Sequence, residues 1–209
     1  MPETTSQLSQ RLIDLRANLQ GSEPVSLALR TGVDCLSTSQ ATGEFRLSLW
    51  GRPLILTYPD FIAVDLQTQE ELPSYQQALL LYYFNTCDGY PALGEWISFS
   101  ELPDGRFYNQ AFQGYSGQAL ARAFGNDLAA FCQAAESLGG VRGHHHGDAA
   151  YVFQVLPLVP LMAVYWQGDE DFPPNCQVLF DAAVSHHLPA DACAVIGGNL
   201  AGKLIKAKG

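Results

Sequence analysis

The longest apolar stretch of the chain, residues 149–167, most constrains what the sequence can fold into. It reads AAYVFQVLPLVPLMAVYWQ, close to the roughly 20 apolar residues that a membrane-spanning helix needs. Pro157 and Pro160 would each remove a hydrogen bond from such a helix. Its flanks, Asp148 and residues 169–171, are acidic rather than basic. The abundance of Val, Tyr and Phe instead predicts two buried strands joined at a proline-marked bend, and no membrane segment.

Elsewhere the hydrophobic period changes several times along the chain. Residues 6–19 place leucines at helical spacing and predict an opening helix within residues 1–21. Residues 45–65 alternate apolar and polar side chains around two turns, which predicts a three-stranded antiparallel meander. A helix is predicted from residue 75 to 87, and a short strand over 94–102. Residues 108–138 are also predicted to be helical, with Asn126 as an internal N-cap. Two more helices are predicted over 178–188 and 191–206. The pattern predicts one α+β domain over residues 1–209, with helices packed on a mainly antiparallel sheet.

Composition and charge limit the protein class and the kinds of molecule that the chain can bind. Hydrophobic residues make up 47% of the chain and charged residues 15%, which excludes a disordered protein. All three lysines lie within residues 203–209, so residues 1–202 carry eight Arg against 21 acids, a net charge of -13. Nucleic-acid binding requires clustered basic residues, and we therefore expect that this chain does not bind nucleic acid. We interpret residues 203–209 as a short basic tail.

The five cysteines are odd in number and form no CxxC pair, which is typical of reduced, buried thiols. The first 20 residues are polar and amphipathic and do not resemble a signal peptide. Together these features lead us to expect a cytoplasmic location. A Cys–His pairing remains open, although no cysteine carries a sequence mark of activation. Phosphate-binding glycine motifs and the GxSxG nucleophile motif are absent from the sequence.

Histidines form the first group of candidate ligands. In the segment Gly143–Asp148, only His144 and His146 would point to the same side of an extended chain. Imidazoles suit zinc or nickel, so weak binding of either metal in vitro, without a structural role, is expected. The alternative is a solvated polar loop. His186 and His187 lie near the end of a predicted helix, where the dipole favours cationic side chains.

Two further segments combine polar and aromatic residues. Residues 169–171 are three consecutive carboxylates, which need water, a cation or a helix N-terminus to coexist. A helix predicted from near Asn175 favours the dipole, and we expect Asp169 or Asp171 to cap local backbone. The EF-hand calcium pattern is absent. Residues 89–96 hold Tyr90 and Trp96 on a glycine-rich loop that could line a pocket or simply belong to the core.

Five segments taken together resemble a known family. They are WISFSELP (Trp96 to Pro103), the Gly147-Asp148 pair, the PLVP strand (Pro157 to Pro160), WQGDEDFP (Trp166 to Pro173) and LFD (Leu179 to Asp181). From about Ser26 to Leu204 the chain is similar to DUF3786, a family of uncharacterised bacterial and archaeal proteins. The resemblance implies no established activity. Some members bear an additional iron–sulfur cluster domain, which suggests anaerobic redox or corrinoid chemistry, whereas this chain has no cysteine cluster.

The family segments place polar and aromatic residues in loops beside apolar strands, where functional residues often lie. The predicted ligand-binding set is Tyr90, Glu95, Trp96, Asp148, Trp166, Asp169 and Asp171, facing one cleft. The leading hypothesis is a soluble cytoplasmic protein that binds a small molecule or cofactor, such as a tetrapyrrole or corrinoid. The alternatives are a metal-dependent enzyme, which needs three converging ligands, and a homodimeric accessory protein of a redox complex. These residues could also be loop anchors that hydrogen-bond one another. No catalytic residue and no specific cofactor can be named from the sequence.

Overall fold

The computed structural model describes residues 5–37, 42–144 and 146–209. Its helices and strands form the predicted α+β fold, with two separate sheets. Contacts divide the chain into two compact units. Unit 1 comprises Met1–Pro91, Leu156–Leu158 and His186–Pro189, and unit 2 comprises Ala92–Val155, Val159–Ser185 and Ala190–Gly209.

Within its described residues, unit 1 is built from a four-stranded sheet and three α-helices. In chain order these are α1 (Thr5–Leu19), α2 (Pro24–Thr31), β1 (Asp34–Ser37), β2 (Gly43–Leu49), β3 (Arg52–Tyr58), β4 (Ala63–Asp65) and α3 (Ser74–Thr86). The strands lie in the order β1-β2-β3-β4, with antiparallel pairs throughout. The predicted opening helix and three-stranded meander are confirmed. Helix α2 and strand β1 lie within residues 22–43, where the sequence offered no clear period.

Buried aromatic rings form the core of unit 1. Phe84 of α3 meets Phe45 of β2 edge to face, with ring centroids 5.1 Å apart, and Phe45 stacks on Phe61 at 6.3 Å. All three rings are fully buried. Arg16 of α1 donates to the Gln77 side chain of α3 at 2.6 Å. Helix α3 therefore contacts both α1 and strand β2.

Within its described residues, unit 2 contains the five-stranded sheet and four α-helices. Its elements are β5 (Trp96–Ser98), α4 (Gly105–Tyr115), α5 (Gly117–Phe124), α6 (Leu128–Ser137), β6 (Val141–Arg142), β7 (Ala149–Leu156), β8 (Val159–Trp166), β9 (Asn175–Asp181) and α7 (Ala190–Lys208). The strand order is β5-β9-β8-β7-β6. The long apolar stretch thus forms two adjacent strands, as predicted. Among the described helices, none is long and apolar enough to cross a membrane.

Helices cover one face of the five-stranded sheet. The Phe112 ring of α4 lies 5.8 Å from the Phe180 ring of β9 and stacks on Phe99 at 4.3 Å. Helix α5 approaches β9 so closely that a Cβ at Gly117 would lie 2.3 Å from the Cys176 carbonyl oxygen. Glycine is therefore required there for this helix–sheet contact.

Several local predictions need correction. The helix predicted over residues 178–188 is wrong, because residues 175–181 form strand β9 between β5 and β8. A short apolar run reads equally well as a buried strand or a buried helix, and here the sheet buries it. The predicted cap at Asn126 is also wrong, since Asp127 accepts the Ala130 N–H at 2.9 Å. The basic segment 203–209 is helical through Lys208.

Candidate functional site

The five-stranded sheet carries an apolar strip with a tryptophan at each end, which we call the Trp strip. Its centre consists of four side chains that are at most 5% exposed: Ala150, Met162, Val164 and Leu179. Trp96 of β5 and Trp166 of β8 are half-buried and pack against these four. Trp96 pairs with Asp181 and Trp166 with Asn175, at the two ends of β9. At about 3.3 Å per residue, the two positions are separated by roughly 20 Å along that strand.

Asp148 lies at the Trp166 end of the strip. Its Oδ2 accepts the N–H of Gln167 at 2.7 Å, immediately after Trp166. The next residue, Gly168, donates its N–H to the Asn126 side chain at 2.7 Å and accepts a hydrogen bond from the same amide at 3.2 Å. The structure therefore brings Asp148 to the base of the acidic loop.

The acidic loop itself is organised by one carboxylate. Asp169 Oδ1 accepts the N–H groups of Asp171 and Phe172 at 2.9 and 2.8 Å. Among the described residues, the carboxylates of Glu170 and Asp171 accept no hydrogen bond. The prediction that Asp169 or Asp171 caps local backbone is confirmed for Asp169. The expectation that a helix dipole stabilises these carboxylates is wrong, because strand β9 and not a helix follows the loop.

The loop before Trp96 is held by a buried carboxylate that the sequence analysis missed. Asp181 is 1% exposed; its Oδ1 accepts the N–H of Leu93 at 3.0 Å and its Oδ2 that of Gly94 at 2.7 Å. The Glu95 carbonyl accepts the Ala182 N–H at 2.8 Å, while the Glu95 side chain is exposed. In the sequence this aspartate was marked only as the last residue of the family segment LFD. These contacts position Trp96.

A second polar cluster lies in unit 1, where residues 87–90 meet residues 186–187. Asp88 Oδ2 lies 2.7 Å from His186 Nδ1, and Asp88 Oδ1 accepts the Tyr90 N–H at 2.9 Å. The Tyr90 ring stacks on His186, with centroids 4.3 Å apart and planes within 12°. The hydrogen bond from His186 holds the pKa of Asp88 below its ordinary value. Tyr90, predicted as a pocket residue, thus belongs to this cluster.

A buried Cys–His pair adjoins the same cluster. Cys87 Sγ lies 3.2 Å from His187 Nδ1 and donates to the Arg30 carbonyl at 2.9 Å. Burial raises the pKa of the Cys87 thiol, so it stays protonated at neutral pH. The structure therefore contains a Cys–His pairing, but in the environment of a structural rather than a nucleophilic cysteine.

Of the comparisons with known proteins, the one with family models found a match. A sequence model described as a domain of unknown function, DUF3786, matches residues 23–203 of the 209. The chain belongs to the DUF3786 family. No curated protein shows a significant match to it. No solved structure does so either.

In this DUF3786 protein, four of the five family segments meet at the five-stranded sheet of unit 2. Residues 96–103 form β5 and the turn after it, and residues 179–181 form the end of β9 that pairs with β5. The Gly147-Asp148 pair meets the start of residues 166–173 through the Asp148–Gln167 hydrogen bond. The resemblance found in the sequence is confirmed, and these segments frame the Trp strip.

A pocket and the pair of His144 and His146 are further candidate sites. A pocket of about 350 Å³ at the turn into α4 is lined by Ser100, Glu101, Leu102, Asp104, Arg106 and Phe107, none of which was a predicted ligand residue. His144 and His146 are exposed, and His145 lies outside the described residues. Within residues 5–37, 42–144 and 146–209, no three His, Cys, Asp or Glu side chains are placed to hold a metal ion. The predicted metal site therefore gains no geometric support.

Proposed function

We propose that this DUF3786 protein binds a planar small molecule or cofactor long enough to reach both half-buried indoles of the Trp strip, across the four central side chains that are at most 5% exposed. The observation that carries the proposal is the pair of half-buried indoles, Trp96 and Trp166, packed on one buried apolar cluster. Ligand sites combine aromatic walls with a few placed polar groups. Tryptophan supplies a large contact surface with few torsions to immobilise.

The polar groups at the Trp166 end favour a ligand that donates hydrogen bonds. Asp148 uses one carboxylate oxygen for Gln167, and within the described part of the chain its other oxygen accepts no hydrogen bond. Residues 169–171 add three acids nearby in the sequence. Ligands rich in carboxylates would be repelled by these charges, whereas amide, hydroxyl or cationic groups would be attracted. Within the tetrapyrrole and corrinoid class, an amide-bearing corrinoid therefore fits better than a propionate-bearing porphyrin.

Tryptophan fluorescence gives a direct test. The chain has three tryptophans, so Trp50→Phe leaves Trp96 and Trp166 as the only indoles. This variant is titrated with hydroxocobalamin, protoporphyrin IX and flavin mononucleotide, with correction for absorbed light. We expect saturable quenching, strongest for the corrinoid. If no compound in the series quenches saturably, the proposal is wrong.

The second arm locates the binding surface. Trp96→Ala and Trp166→Ala should each weaken binding by about tenfold, which corresponds to about 1.4 kcal/mol, as measured by equilibrium dialysis. Phe107→Ala is the matched control, because Phe107 is an aromatic residue of unit 2 that is 94% exposed. Equal affinity in the tryptophan variants would place the ligand elsewhere.

A homodimeric accessory protein would use the same tryptophans differently. If two copies associate through the Trp strip, light scattering will give twice the monomer mass, and Trp96→Ala combined with Trp166→Ala will restore the monomer. A protein that stays monomeric at all concentrations and still binds the ligand would favour the binding proposal.

A further inference from the structure

We infer a second binding site in unit 1, at which His186 Nε2 occupies one coordination position of a transition-metal complex. The remaining positions of that metal would be filled by the complex's own organic ligand. The inference is independent of the Trp strip, since it rests on Asp88, Tyr90 and His186 alone.

The first step is the protonation of the imidazole. Asp88 Oδ2 lies 2.7 Å from His186 Nδ1, and an ionised carboxylate can only accept hydrogen bonds. Nδ1 must therefore carry a proton that it donates to Asp88. In the neutral imidazole, the lone pair that could bind a metal is then on Nε2.

The second step is the orientation and exposure of the ring. The side chain of His186 is 41% exposed, and its Nε2 forms no hydrogen bond within the described residues. Asp88 fixes the ring from one edge, and the Tyr90 ring lies flat against it at 4.3 Å. A carboxylate that holds Nδ1 while Nε2 faces outward is the usual arrangement behind metal-bound histidines.

The third step concerns the kind of metal. A protein-held ion needs three or more protein ligands. Among the described residues no such group exists, and the neighbouring His187 turns its Nδ1 to Cys87 at 3.2 Å. A free ion would thus be held by a single imidazole. A metal that arrives with its other donors in place, in a macrocycle or a chelate, needs only that one position.

Absorption spectroscopy with ferric protoporphyrin IX tests the inference. The chain has five histidines, so alanine at residues 144, 145 and 146 leaves His186 and the buried His187. In this background we expect the Soret shift of an imidazole-ligated ferric haem. His186→Gln should abolish it, and the Gln amide can still donate to Asp88. Asp88→Asn should weaken the binding by about tenfold, the usual effect of removing such a carboxylate partner.

Two controls separate coordination from adsorption. Metal-free protoporphyrin IX lacks the coordinating metal, so any affinity that it has should be the same for the background protein, His186→Gln and Asp88→Asn. Nickel(II) nitrilotriacetate is the probe for a metal held by an open chelate. If this complex binds in a His186-dependent way and ferric haem is not ligated, the site takes a metal chelate rather than a metal macrocycle. If neither metal complex loses affinity in His186→Gln, or if metal-free porphyrin is lost in parallel, the inference is overturned. Circular dichroism verifies that each variant is folded.

Discussion

Asp181 and Asp65 are buried aspartates whose partners are mostly backbone N–H groups. Asp181 accepts from Leu93, Gly94 and Ala183 at 2.7 to 3.0 Å. Asp65 accepts from residues 67 and 68 and pairs with an arginine guanidinium. Because each carboxylate satisfies several donors at once, its loss leaves buried N–H groups without an acceptor.

We predict that Asp181→Asn destabilises the protein by about 2 kcal/mol. In the variant, the side-chain amide nitrogen of residue 181 would face a backbone N–H group whose hydrogen bond the carboxylate accepts in the wild type. For a chain of this length the melting temperature should fall by about 4–8 °C, as measured by calorimetry. Asp171→Asn is the control, because its exposed side chain should change stability by less than about 0.5 kcal/mol. Equal melting temperatures for the two variants would contradict the prediction.

The lowered pKa of Asp65 leads to a prediction about how stability changes at acidic pH. The backbone hydrogen bond from Gln67 is the largest cause that lowers the pKa of Asp65. A folded pKa below the unfolded value of about 3.9 gives stability that is complete above that value and is lost as pH falls through the folded pKa. Urea unfolding should show Asp65→Asn less stable than wild type at about pH 6, with the gap closing below about pH 4. A gap that is constant across this range would show that the charge of Asp65 does not contribute.

At the scale of elements, strand β9 connects both layers of unit 2. It pairs with β5 on one side and β8 on the other. Its Phe180 points to the helices, and its Leu179 belongs to the Trp strip. Helix α5 meets it at Gly117 without space for a methyl group. Trp96 pairs with the same strand, at Asp181.

Gly117→Ala should accordingly destabilise the protein by about 2 kcal/mol, because overpacking against fixed backbone forces α5 away from β9. The matched control is Gly114→Ala in α4, where an added Cβ meets no atom within 4 Å. There alanine should be neutral or stabilising by up to about 1 kcal/mol. Guanidinium unfolding measures both variants. The opposite order of stabilities would mean that α5 can adjust at little cost.

At the scale of the whole molecule, the chain passes repeatedly between its two units. It crosses after residues 91, 155, 158, 185 and 189. Unit 1 incorporates the turn at residues 156–158, where the Leu158 N–H bonds the Tyr83 hydroxyl at 3.2 Å. It also incorporates His186, which bonds Asp88. Neither unit is a continuous segment, so a single cut cannot release either one complete.

We therefore predict that limited proteolysis yields no pair of stable halves. A cut near residue 91 would leave an N-terminal fragment without residues 156–158 and 186–189. Mass spectrometry of a protease time course should show the intact chain being lost directly to small peptides. Two protease-resistant fragments that meet near residue 91 would contradict the single-domain prediction.

The sequence alone determined the features that depend on local periodicity and composition. The leucine spacing of α1, the alternation of β2 and β3, and the proline-interrupted apolar stretch of β7 and β8 each predicted the observed element. These patterns suffice because each element buries a face that its own residues define. The family segments likewise identified DUF3786 and included both tryptophans of the Trp strip, Trp96 and Trp166.

Only the tertiary structure decided which polar residues act together. His186 meets Asp88 across 98 residues, and His187 meets Cys87 across 100. No local period encodes such pairs, because they depend on how separate elements pack. The same holds for β9, whose short apolar run becomes a strand only because β5 and β8 exchange backbone hydrogen bonds with it. Asp181 reads as one more acid in the sequence, and only the folded loop gives it three backbone partners.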